Sequence, residues 1–122
     1  MQNEINLKYF IYARKSSEAE DRQVASIDSQ ISVLSDLAKR EGLEVVETFC
    51  ESQSAKAPGR PIFSKMLEMI YKGRAQGIIC WKLDRLARNP VDGGQINWML
   101  QQAVIRHIKT YDRSYYPTDN VL

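Results

Sequence analysis

The sequence predicts an α/β fold: a mostly parallel sheet of four to five strands with helices on both faces. Three observations carry this expectation. Short runs of β-branched and aromatic residues alternate with amphipathic stretches along the chain. One run, Gly77-Ile78-Ile79-Cys80-Trp81, is almost continuously apolar, as a strand covered on both faces requires. Capping and stop residues fall between the runs, at Ser26, Gly42, Pro61, Gly73 and Asn89-Pro90. Strands alternating with helices imply parallel pairing through crossovers.

The first strand is Lys8-Tyr9-Phe10-Ile11-Tyr12-Ala13-Arg14, after a polar start, Met1 to Asn6, expected to fray. Ser26 is placed to N-cap a helix over about 27–41, with Ile27, Ile31, Leu34, Leu37 and Ala38 as its apolar stripe and Asp28 at its positive end. Gly42 stops it, and Leu43 to Phe49 form a second strand. Glu51 to Gly59 is a polar loop with a Pro-Gly pair. Pro61 opens a helix over about 61–72 that buries Ile62, Phe63, Met66, Leu67 and Ile70 and ends at Gly73. The apolar third strand leads into Lys82 to Asn89, a loop dense in charge. Asn89 and Pro90 then start a helix with Ile96, Met99, Leu100 and Ala103 inward, and Ile105 to Tyr111 read as a fourth strand. In the tail, Asp112 to Leu122, Thr118 or Asp119 is placed to cap a further helix.

With 122 residues, 43% hydrophobic and 26% charged, the chain suits one globular domain with its own core. No apolar run is long enough to span a membrane and no secretory signal is present, so a cytoplasmic location is expected. Cys50 and Cys80 lack metal-type spacing and are expected to be buried, reduced thiols. The net charge of +2 does not by itself imply a nucleic-acid partner; where the charge lies matters more.

Ligands of such sheets bind outside the carboxyl ends of the strands. Three polar loops lie there: 15–25, 50–60 and 82–89. The first carries Arg14 and Ser16; Tyr12 and Arg14 point the same way along the strand, and Ser16 joins them if the strand geometry persists. The second carries Glu51, Ser52, Ser54, Lys56 and Arg60, and the third Lys82, Asp84, Arg85 and Arg88. Arginines around a hydroxyl suit phosphoryl transfer to serine, because guanidinium forks match phosphate oxygens and stay charged. Asp84 is placed to orient Arg85, to handle a proton, or to fix the loop as an ion-pair partner. Nucleotide and dinucleotide fingerprints are missing, as is a GxSxG elbow, and the one histidine, His107, is expected to be structural or on the surface. The carboxylates do not cluster as a metal cage would need.

Tyr12-Ala13-Arg14-Lys15-Ser16-Ser17 resembles the Tyr-x-Arg-x-Ser motif of serine recombinases, the resolvase/invertase family. Ser26-Ile27-Asp28-Ser29-Gln30 resembles the opening of that family's first helix, and Lys82-Leu83-Asp84-Arg85-Leu86-Ala87-Arg88 its Lys-Leu-Asp-Arg-Leu-x-Arg motif, in matching order. Tyr116-Pro117-Thr118-Asp119-Asn120 is similar to what precedes the long helix of larger, including transposon-borne, members.

The resemblance implies a resolvase-like catalytic domain in which Ser16 attacks a DNA phosphodiester and forms a 5′-phosphoserine link. It implies that Arg14, Arg85, Arg88 and Arg60 bind the scissile phosphate, that Gln30 and Asp84 are active-site neighbours, and that Lys82 supports the motif. Ser54 aligns with a loop serine, and Glu51 stands where the family commonly has aspartate. Neither metal nor other cofactor is implied. The implied partners are DNA and, in a full-length protein, a homodimer and synaptic tetramer, with no membrane and no small-molecule substrate. The chain, 1–122, is then expected to be the catalytic domain of a longer recombinase whose dimerisation helix and DNA-binding region follow. A non-catalytic binding relative and a receiver-like regulator are the alternatives. An intact nucleophile among arginines argues against the first, and basic rather than acidic strand ends against the second.

Overall fold

The computed structural model describes residues 6–17, 22 and 24–119. The sheet has five strands: β1 (Lys8–Arg14), β2 (Glu44–Glu51), β3 (Gly77–Cys80), β4 (His107–Lys109) and β5 (Ser114–Tyr115), in the order β2-β1-β3-β4-β5. The first four pair in parallel, and β5 closes antiparallel on β4. The helices are α1 (Ile27–Glu41), α2 (Pro61–Tyr71), a single turn α3 (Leu83–Leu86), and α4 (Pro90–Gln101).

The strict alternation of β1 divides the core. Phe10 and Tyr12 join Phe63, Met66, Leu67 and Ile70 of α2 and Ile96, Met99 and Leu100 of α4 on one face. Tyr9 and Ile11 join Leu34, Leu37 and Ala38 of α1 on the other. The α/β fold with helices on both faces is therefore as the sequence suggests. After β1 the chain builds outward first on one side (β2), then on the other (β3), so the topological switch point lies between β1 and β3. The loop holding Ser16 and the loop from Lys82 leave the sheet at that crevice.

Helix boundaries follow the caps. Ser26 Oγ accepts from Ser29 N–H (3.1 Å), and Asn89 Oδ1 accepts from Asp92 N–H (2.9 Å). The α1, α2 and α4 helices all end in one motif, a left-handed residue after the last turn whose successor bonds back to the helix. Leu43 N–H reaches the Ala38 carbonyl (2.9 Å), Arg74 N–H that of Met69 (3.1 Å) and Val104 N–H that of Met99 (2.9 Å). The left-handed residue is Gly42 (φ 69°) in the first, Gly73 (φ 84°) in the second and Ala103 (φ 59°) in the third. A Cβ in that conformation costs roughly 1–2 kcal/mol. Ala103→Gly is therefore expected to stabilise the chain by about 0.5–1 kcal/mol, net of the extra freedom of glycine when unfolded. Urea unfolding would check it; a loss of stability would contradict the motif.

Several expectations are corrected. Ala103 is not inward: the helix ends at Gln101, and Ala103 is the exposed left-handed residue of the turn. Cys80 is buried, but Cys50 is exposed, because β2 is an edge strand whose α1-side face is only partly roofed. The fourth strand shrinks from 105–111 to His107–Lys109, because Thr110 turns the chain back by accepting Arg113 N–H on its side chain (3.1 Å). That turn creates β5, which the sequence reading missed. The second strand runs two residues further, to Glu51, and the 82–89 loop contains one helical turn. Asp119 closes the turn that begins at Tyr116, its carboxylate accepting Tyr116 N–H (2.6 Å); the further helix that Thr118 or Asp119 is placed to cap, like the start of the chain before Asn6, falls outside the described residues.

His107 is structural, as expected. Nδ1 pairs with Tyr9 OH (2.7 Å), Nε2 with Ser114 Oγ (3.0 Å), and the ring stacks on Tyr116 (4.9 Å between centroids). Burial, then the charge of Lys109, lowers its pKa below the ordinary 6.5, with Glu41 opposing. The unfolded chain therefore takes up the proton more readily. The stability from neutral His107 is complete above about pH 6.5 and drains away as the pH falls through the lowered folded value. Melting temperature should thus fall more steeply below about pH 6.5 in wild type than in His107→Gln. Parallel curves would contradict this.

Candidate active site

The site forms where β1, β2 and β3 end. The β1 ladder stops at Arg14, with one further bond from Lys15 N–H to the Glu51 carbonyl (3.1 Å). Ser16 follows, partly buried, at the mouth of the crevice. Gln30, fully buried on the first turn of α1, clasps the strand end. Its Oε1 accepts Arg14 N–H (3.3 Å), and its Nε2 donates to the carbonyls of Arg14 (3.1 Å) and Ala25 (2.9 Å). One amide thus satisfies both backbone groups that β1 leaves unpaired and fixes where the Ser16 segment departs.

Arg14 is itself buried, and its guanidinium spans two other loops. Nε donates to the Arg85 carbonyl (3.0 Å), Nη1 to Gln53 (3.1 Å) and Nη2 to Asp84 (3.2 Å). Arg85, also buried, returns the contact through a long bond from Nη1 to the Arg14 carbonyl (3.4 Å). Its Nε faces the half-exposed carboxylate of Asp84 at 3.4 Å. Arg88, one turn on, is exposed, and its N–H is held by the Ala55 carbonyl (3.2 Å).

Arg60 enters from the start of α2 and is 1% exposed. Nη1 donates to Tyr12 OH (2.9 Å), while Nη2 donates to the Leu86 carbonyl (2.6 Å) and to Asp92 Oδ2 (3.0 Å). The guanidinium lies 3.9 Å from the centre of the Phe63 ring, a cation–π contact, and its Nε is buried without a hydrogen-bond partner. Tyr12 in turn donates to Glu51 Oε1 (2.5 Å). Burial, opposed by the Arg60 charge and helped by the bond to Glu51, raises the phenol well above its ordinary value, so Tyr12 stays a proton donor. Glu51 also accepts the N–H groups of Ile62 (2.9 Å) and Phe63 (3.0 Å), capping α2 from another element. Its longer arm thus has a structural use in joining β2, β1 and α2.

The structure therefore brings Arg14, Arg85, Gln30 and Asp84 together beside the strand that leads to Ser16. Arg60 lies deeper, on the α2–α4 side. Lys82 is exposed at the start of α3, and Ser54 accepts Lys56 N–H (3.1 Å) within the second loop. Sequence reasoning gave Tyr12 only a place on the strand face and Asn89 only a capping role, and it missed Asp92. The spacing of Asn89 and Asp92, which is that of a capping box, was the available signal. Among the described residues no three His, Cys, Asp or Glu side chains come together as metal ligands, and no helix is long and apolar enough to cross a membrane.

The family model described as "Resolvase, N terminal domain" matches residues 9–120. Among solved structures, the C-terminal catalytic domain of ISC1926 TnpA, an IS607-like serine recombinase, superposes with a TM-score of 0.71 at 21% identity, covering 88% of this chain and 69% of that one. The N-terminal catalytic domain of TP901-1 integrase gives 0.69 at 23%, covering 86% and 77%. A resolvase family site-specific recombinase from Streptococcus pneumoniae gives 0.65 at 25%, covering 87% and 72%. No curated protein sequence matches the chain. The β1 motif, the switch-point crevice and the interlocked arginines thus lie within a matched stretch that takes in nearly the whole sequence, and the chain belongs to the resolvase N-terminal domain family.

Proposed function

We propose that this chain is the catalytic domain of a site-specific DNA recombinase and that Ser16 is its nucleophile. The observation that carries the reading is the reciprocal clasp of Arg14 and Arg85, set at the end of the strand that leads directly into Ser16. Ser16 Oγ attacks a backbone phosphorus, the Oγ–P bond forms and the P–O3′ bond breaks. The serine proton passes to a base, and the leaving oxygen takes up a proton to become a 3′-hydroxyl. The product is a 5′-phosphoserine, which conserves the bond energy, so the reverse step reseals DNA without a nucleotide. Arg14, Arg85 and Arg88, with Arg60 behind them, supply positive charge to the phosphate oxygens. Each such preorganised contact is worth ~3–4 kcal/mol of transition-state stabilisation. Arg14, Arg60 and Arg85 already hold protein acceptors, so a phosphate engages them by replacing carbonyl or carboxylate oxygens. Asp84, beside Arg85, orients it, and Lys82 adds charge at the loop entrance. Dimerisation, synapsis in a tetramer and site choice belong in this reading to a longer recombinase of which this is one domain.

The test uses the protein at its natural length and a supercoiled plasmid carrying the DNA that flanks its own gene. A covalent protein–DNA adduct on quenching is the expected result, and its absence under conditions where the DNA is bound would sink the reading. Binding to that DNA should also weaken steeply with salt, by roughly one decade in affinity per decade of salt for each phosphate neutralised. Salt-independent binding would remove the arginine clamp from the account.

A further inference from the structure

The first turn of α4 carries a polar cluster that the chemistry above does not use. Asn89 and Asp92 are both buried, at 7% and 6% exposure. Asn89 makes three bonds: its Oδ1 accepts Asp92 N–H (2.9 Å), and its Nδ2 donates to Asp92 Oδ2 (2.8 Å) and to the Ala55 carbonyl (3.1 Å). Asp92 Oδ2 therefore receives Asn89 on one side and the guanidinium of Arg60 on the other. The Ala55 carbonyl takes two donors, Asn89 Nδ2 and the backbone N–H of Arg88. A helix cap alone needs only the Oδ1 bond. The remaining bonds reach outward, to the loop after β2 and to Arg60.

We infer that Asn89 and Asp92 are positioning residues for strand cleavage: Asn89 seats Arg88 through Ala55, and Asp92 seats Arg60. This inference rests on the proposed recombinase function. The juxtaposition explains why an exposed arginine, Arg88, leaves a fixed backbone point, since its N–H and the side chain of the next residue share one acceptor. It also explains how Arg60 is held in the interior, since Asp92 is the carboxylate paired with it in that pocket. Misplacing such groups by about an ångström is enough to slow a preorganised reaction by roughly 10- to 100-fold.

Two variants separate positioning from mere folding. Asn89→Ser keeps a side-chain oxygen for the helix cap but removes the donor to Ala55. Asp92→Asn keeps the shape but removes the charge that faces Arg60. In single-turnover cleavage of the same plasmid, each should slow adduct formation by about 10- to 100-fold at saturating DNA, with DNA affinity changed by less than about threefold. A rate within about twofold of wild type, or a loss confined to affinity, overturns the inference. So does a rate that returns to the wild-type value on cooling to a temperature at which the variant is fully folded. If Asp92→Asn fails to fold, Asn89→Ser decides. If the wild type itself forms no adduct, the proposed function fails instead, and amide exchange then decides the tether. Protection of the Arg88 amide should drop about tenfold or more in Asn89→Ser, and unchanged protection overturns the inference.

Discussion

Ser16→Ala is expected to abolish the covalent protein–DNA adduct while leaving the domain folded. Alanine removes the only atom of that side chain that can bond to phosphorus, so the loss is complete rather than graded. Stability should move by less than about 0.5 kcal/mol, because Ser16 is partly exposed and lies beyond the last ladder bond of β1. Gel analysis after denaturing quench, with urea unfolding alongside, measures both. DNA binding should persist, since the arginines are untouched. An adduct that survives in Ser16→Ala assigns the chemistry to another residue, with the adjacent Ser17 the first to examine. A variant that unfolds would instead make Ser16 a structural residue of the turn.

Arg60→Met is expected to cost about 3–5 kcal/mol of stability, a large part of what a domain of this size possesses. The guanidinium is sealed from water and serves Tyr12 OH, the Leu86 carbonyl and Asp92 at once. Removing it leaves the Asp92 carboxylate buried, with the Asn89 amide still donating to it. Much of the cost is thus the uncompensated charge rather than the lost bonds. The double variant Arg60→Met/Asp92→Leu removes both ions and should regain most of that stability, because buried pairs replaced by apolar groups of similar volume are often neutral or stabilising. Urea unfolding of the two variants tests the pair. A single variant within about 1 kcal/mol of wild type, or a double variant weaker than the single, would contradict the account.

Much of this architecture was legible in the residues. Ser26, Gly42, Pro61, Gly73 and Asn89-Pro90 are local signals, and local signals set the ends of α1, α2 and α4 to within a residue or two. Ala103 misled because helical periodicity continues past the point where the chain turns, and alanine gives no sign of a left-handed residue. The β5 hairpin was hidden because its determinant is the side chain of Thr110 bonding the backbone, which no alternation pattern records. Cys50 misled because its strand lies at the edge of the sheet, a property of topology rather than of the strand. At the site, the motifs named Arg14, Arg85 and Arg88 but not how Arg14 and Arg85 interlock. The main partners of Arg14 are carbonyls, which every residue carries, so no residue type betrays them. Asp92 was passed over because it lies in an ordinary first turn, and only its tertiary neighbour Arg60 distinguishes it from a dipole-compensating acid.

The carbonyl partners of Arg14 have a consequence for how this surface tolerates mutation. Gln53, Asp84 and Arg85 meet the guanidinium through main-chain oxygens, so these bonds between the loops and β1 do not depend on the side chain at Gln53. Side chains there can drift, and with them the contacts made to whatever lies against the crevice, while the framework beneath stays in register. A change of backbone path, such as a proline or a deletion in the second loop, would be felt at Arg14.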